Sequence, residues 1–122
     1  MKIEISNVKK SFGDNEVVNI DNLSIDNGEL IGLVGNNGAG KTTLFRIILD
    51  LLKANDGKVE MTTADTESPQ TINPALSEDW KTITGAYIDE GFLIEFLTPE
   101  EYFYFIGKVN NISKEEVDSK LE

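Results

Sequence analysis

Apolar and polar positions alternate at the start of the chain. In KIEISNV, Lys2 to Val8, Ile3 and Ile5 are separated by polar residues, the period of a strand with one buried face. Gly13, Asp14 and Asn15 mark a turn, after which Val17, Val18 and Ile20 restart an apolar pattern. Leu23 to Ile25 reads as a further short strand, closed by an Asn27-Gly28 turn. Residues 1–28 therefore predict an antiparallel β region. Beyond them the pattern changes. Leu30, Ile31, Leu33 and Val34 form a nearly continuous apolar run, the pattern of a strand buried on both faces. Leu44, Ile47, Ile48, Leu51 and Leu52 then recur at helical spacing, and Gly57 ends that segment. GKVEM is another strand, so residues 29–61 predict strand, helix, strand.

Residues 62–81 are polar and contain Pro69 and Pro74, which predicts a long loop with a short helical turn near Ser77 to Trp80. In the last segment, 82–122, Ile83 to Ile88 reads as a strand. Thr98, Pro99 and Glu101 then carry the start signal of a helix: a cap, a proline at the first helical position and a capping-box acid. Ser113 and Glu116 repeat the device for a second helix. The alternation of strands and helices points to an α/β core with an antiparallel N-terminal piece.

Composition narrows the chemistry. At 122 residues the chain is the size of one domain. It has 22 acidic against 11 basic residues, a net charge of −11, and that field argues against a nucleic-acid partner. The pair Lys9 and Lys10 is too small a basic cluster to change this. There are no cysteines, so neither a disulfide nor a thiolate metal site can form, and no histidines, so imidazole ligands and His-based proton transfer are excluded. No apolar stretch reaches the roughly 20 residues of a membrane helix, and the N-terminus lacks a signal core; the chain reads as cytosolic.

Against that acidic background, Gly35-Asn36-Asn37-Gly38-Ala39-Gly40-Lys41-Thr42 matches G-x-x-x-x-G-K-[ST]. The residue types suit a polyphosphate. Glycines let the loop curl so that backbone N–H groups point inward, and the following helix offers free amides at its positive end. Lys41 adds a full charge for the outer phosphates, and the Thr42 hydroxyl can ligate Mg²⁺. Such a seat is made locally, by backbone dipoles and one ammonium, and can work inside an acidic molecule.

GNNGAGKTTL resembles the Walker A loop of the ATP-binding-cassette (ABC) ATPases that drive membrane transporters. Upstream, KKSFGDNEVV resembles their adenine-contacting segment, in which Phe12 would stack on the base and Val17 pack beside the sugar; taken alone, Phe12 reads as a core or turn residue. The resemblance implies a P-loop NTPase core whose ligands are ATP and Mg²⁺. Gly35, Asn36, Asn37, Gly38, Ala39, Gly40, Lys41, Thr42 and Thr43 would hold the phosphates. Downstream, ITGAYIDEGFLIEFLTPEEYFYFIG resembles the glutamine-loop strand and the start of the helical subdomain. There Glu90 stands where most relatives carry glutamine, and Asp89 where proline is common. A carboxylate at 90 can ligate Mg²⁺ but adds charge and cannot donate. On this reading Lys41 and Glu90 are catalytic, and Thr42 and Glu90 hold the metal.

GAYIDE also resembles a Walker B strand ending in Asp89 and Glu90, which would make the chain a small stand-alone NTPase; a surface turn is a third reading of the pair. A further alternative is a non-catalytic nucleotide-sensing module. The LSGGQ signature and switch histidine of an intact cassette are absent from these residues. The resemblance therefore implies the N-terminal half of a longer ATPase, with a second cassette and a transmembrane transporter subunit as partners, at the inner face of the cell membrane. In that form the chain is expected to bind Mg-ATP weakly, to turn it over negligibly, and to self-associate through the unpartnered strand at 29–35.

Overall fold

The computed structural model describes residues 1–65, 67–88 and 94–121. They fall into two compact units, Met1–Ala86 and Tyr87–Glu122.

The first unit is built on a four-stranded antiparallel sheet, order β2-β1-β3-β4, from β1 (Lys2–Phe12), β2 (Asn15–Ile25), β3 (Asp56–Thr62) and β4 (Thr71–Ile72). The short strands expected in residues 1–28 are two long ones. They join through Gly13 and Asp14, with Gly13 at φ 59, the conformation that the first central position of a type II′ turn requires. Two register breaks explain why the sequence does not alternate cleanly. Against β3, β1 slips between Ser6 and Lys9, where Asn7 takes φ 51 and Gly57 φ 82. A Cβ on Gly57 would lie 2.3 Å from the Asn7 carbonyl oxygen, so the bulge needs glycine there. The extra residue lets Ile5 and Val8, three apart, both be buried. The second break opposes Lys10 and Ser11 to Val18 and Glu16, leaving Val17 as the extra residue of β2.

One helix, α1 (Lys41–Ile48), packs on this sheet with Leu44, Ile47 and Ile48 buried. Each such side chain contributes about 1.5–3 kcal/mol when fully removed from water. The helix stops short of the expected Leu51 and Leu52. Asp50 takes φ 52, its N–H donates to the Ile47 carbonyl at 3.1 Å and that of Leu51 to the Arg46 carbonyl at 2.8 Å. This is a Schellman cap, in which a left-handed residue satisfies the last carbonyls and turns the chain away. The polar segment 62–81 carries more structure than a loop: β4, and a 3-10 turn (Asp79–Thr82) that buries Trp80.

Two expected strands do not form. Residues 29–35 carry no strand pairing, with Leu30 and Val34 at 101% and 91% exposure. An apolar run of this kind becomes a strand only when neighbours supply hydrogen bonds on its edges, and none among the described residues does. Residues 83–88 likewise carry no strand pairing.

The second unit is a helical hairpin, α2 (Pro99–Val109) and α3 (Lys114–Leu121). The capping box forms as the sequence predicts. The Glu101 N–H donates to Thr98 Oγ1 at 3.3 Å, and the Thr98 N–H to Glu101 Oε2 at 2.9 Å. The Thr98 N–H first, and then the Thr98 hydroxyl, which donates to Glu101 Oε2 at 3.0 Å, hold the Glu101 carboxyl below its ordinary pKa. Asn111, at φ 57, ends α2, and the helices cross closely at Gly107, where a Cβ would lie 2.6 Å from Val117 Cγ2. The Tyr104 hydroxyl ties them together, 2.6 Å from Asp118 Oδ1 and 2.9 Å from Glu100 Oε1.

Candidate functional site

The glycine-rich loop lies between the unpaired segment 29–35 and α1, and it leans on β2. Gly40 is the N-cap of α1 at φ 91. A Cβ there would stand 2.1 Å from the Val17 carbonyl oxygen and 3.3 Å from Val18 Cγ2. Only glycine both takes that dihedral and leaves room for the strand. The contact falls at the register break that leaves Val17 unpaired, so the bulge of β2 is where the loop docks.

This geometry leaves the front of α1 open. No side chain caps it and no acidic residue lies in its first turn. The amides of Lys41, Thr42 and Thr43 have no intrahelical acceptor, as the first N–H groups of any helix lack one. The Lys41 ammonium folds back over the loop and donates to the carbonyl of Gly35 and, at 2.9 Å, to that of Asn36. The Ala39 N–H closes the loop on the Asn36 carbonyl at 3.1 Å. A depression of about 200 Å³ results, lined by Val17, Asn37, Gly38, Gly40, Lys41, Thr42 and Thr43. In a chain of net charge −11, this patch carries an ammonium, a positive helix end and no carboxylate in the first helical turn.

Residues 35–43 and Val17 are thus brought together. Phe12 lies at the end of β1 on the hairpin tip; it is 52% exposed, which removes the reading of it as a core residue. Asp89 and Glu90 lie outside the described residues. Among the described residues there is no group of three or more His, Cys, Asp or Glu side chains placed to hold a metal ion. Sequence reading missed the Val17 carbonyl as the buttress of the loop. Its only signal is the doublet Val17-Val18, which breaks the alternation of β2 where the bulge occurs.

Comparison with known proteins agrees with this architecture. Over 78 residues the chain is 44% identical to the ribose import ATP-binding protein RbsA of Lactococcus lactis, covering 64% of this chain and 15% of the relative. It is 33% identical over 121 residues to the bacitracin transport ATP-binding protein BcrA of Enterococcus faecalis, covering 98% of this chain and 37% of that protein. To the phosphonates import ATP-binding protein PhnC of Fusobacterium nucleatum it is 28% identical over 127 residues, 98% of this chain and 51% of the relative. The chain therefore spans at most about half the length of these relatives. No helix among the described residues is long and apolar enough to cross a membrane. The ABC transporter family model matches residues 18–119, and with that match across most of its length this chain belongs to the ABC transporter family as part of an ATP-binding domain.

Proposed function

We propose that this chain is the nucleotide-gripping part of a transporter's ATP-binding subunit, and that its loop 35–43 holds the phosphates of Mg-ATP. The observation that carries the reading is the uncapped front of α1, with the amides of Lys41, Thr42 and Thr43 open beside the Lys41 ammonium. That donor set fits a polyanion: several N–H groups, one cation, glycine where the backbone must approach closely. Thr42 would hold Mg²⁺ together with phosphate oxygens, and the metal would supply the remaining charge neutralisation. Phe12, exposed at the hairpin tip, would stack on the base, and Val17 would pack beside the sugar.

In the whole protein, hydrolysis would be driven by charge stabilisation at the outer phosphate, with Lys41 fixed by the loop carbonyls and Glu90 at the position of the glutamine-loop residue. A second cassette and a transmembrane subunit would complete the machine at the cytoplasmic face of the membrane. The relatives' names differ in cargo, from ribose to phosphonates to bacitracin, and share the ATP-binding role; that role is what carries over here.

Calorimetric titration of the full-length protein with Mg-ATP tests the reading. Removing a charged donor costs about 1.5–3 kcal/mol, so Lys41→Ala is expected to weaken binding about 10- to 100-fold. Equal binding by both forms overturns it.

A further inference from the structure

Lys10 was too slight a charge to matter for a nucleic acid, yet it is placed where a single charge can act. Its Nζ lies 5.1 Å from the centroid of the Phe12 ring. The two residues are two apart on β1 and so share a face of the sheet. That is the face of the phosphate loop: Lys10 pairs across the strands with Val18, whose Cγ2 lies 3.3 Å from the Cβ position of Gly40. Although acidic residues outnumber basic ones 22 to 11, no carboxylate among the described residues forms an ion pair with Lys10. Its ammonium is held by a phenyl ring instead.

We propose that Lys10 is a positioning residue for base recognition: its ammonium occupies one face of Phe12 and presents the other face to the purine. The inference rests on Phe12 being the stacking surface. Phe12 sits at a strand end, half exposed, where little packing fixes its side-chain torsions. A cation on one face restricts the ring, and stacking of the base then costs less lost freedom. The sandwich also orders affinity by ligand part. Lys10 acts through the ring, so it discriminates ligands that carry a base from those that do not.

The test measures binding of Mg-ATP and of Mg-tripolyphosphate to full-length protein carrying Lys10→Met, Lys10→Arg, Phe12→Ala and the double change Lys10→Met/Phe12→Ala. Methionine keeps the length and loses the charge; arginine keeps the charge and stacks on rings. Lys10→Met is expected to weaken ATP about 2- to 5-fold, the equivalent of an exposed cation–ring contact, and to leave tripolyphosphate unchanged. Lys10→Arg restores ATP binding, and Lys10→Met has no further effect once Phe12 is alanine. Equal losses for ATP and tripolyphosphate, persisting without the ring, make Lys10 a direct phosphate contact and overturn the proposal. ATP binding untouched by Lys10→Met while Phe12→Ala weakens it overturns the role of Lys10 alone. ATP binding untouched by Phe12→Ala overturns the stacking reading beneath it.

Discussion

Gly40 shows most directly how one residue links fold to site. Its dihedral lies in the left-handed region, and the space a side chain would occupy is filled by the Val17 carbonyl at 2.1 Å. Gly40→Ala is expected to cost about 1–3 kcal/mol from backbone strain, and more from pushing the loop off β2. Nucleotide affinity should fall further than stability does, because the amides of Lys41 and Thr42 move with the loop; urea unfolding and calorimetry on the same variant separate the two. Gly38→Ala makes the contrast. Its φ, 82, is also positive but it faces open space, so its cost should be strain alone. The residue types of this loop were legible in the sequence because they are contiguous and each has a local reason. The Val17 contact was not, since it depends on the register of two strands, and one extra residue in β2 decides it.

At the scale of elements, local signals succeeded and signals that need partners failed. The start of α2 was readable because Thr98, Pro99 and Glu101 act within one turn. Thr98→Ala should lower the stability of the helical hairpin by about 1 kcal/mol, seen as a lower thermal midpoint. The box also carries a pH dependence with a definite sign. Folding lowers the pKa of Glu101, so its contribution is present above the ordinary glutamate value, near 4.3, and is lost as pH falls through the lower folded value. The protection of the Thr98 amide, its exchange rate corrected for the intrinsic pH dependence, should therefore fall on acidification in the natural protein. In Glu101→Gln, whose side chain cannot titrate in this range, that change should be absent. The strands expected at 29–35 and 83–88 failed for the opposite reason: apolar content signals that a segment is suited to a sheet, but the hydrogen bonds that make it a strand come from other chain segments. The end of α1 was misplaced because Leu51 and Leu52 keep helical spacing, while the conformation of Asp50 had already closed the helix.

For the molecule as a whole, burial is uneven. Ile5, Val8 and Met61 are almost wholly enclosed, whereas Leu30, Ile31, Leu33 and Val34 lie open. Beside them runs an apolar groove lined by Val18, Ile20, Leu33, Val34 and Leu44, along the outer edge of β2. Open apolar surface next to an unpaired strand edge is a template for association. The 122-residue chain is therefore expected to self-associate with rising concentration, opposed by the repulsion of its net charge of −11. The two forces separate by salt. At low ionic strength the charges keep copies apart; near 0.15 M the screening length falls to about 8 Å and the apolar contact dominates. Sedimentation velocity should show the mean mass rising with both concentration and salt. Leu30→Ser with Val34→Ser should reverse that rise without lowering the unfolding midpoint, because neither side chain is buried. Association that weakens with salt, or a monomer at every concentration, would mean that the exposed run is not the driving surface. The same pair of substitutions in the full-length protein gives the complementary result. If further chain covers this face there, as the partial coverage of the relatives' lengths leads us to expect, the serines become buried polar groups and the midpoint drops.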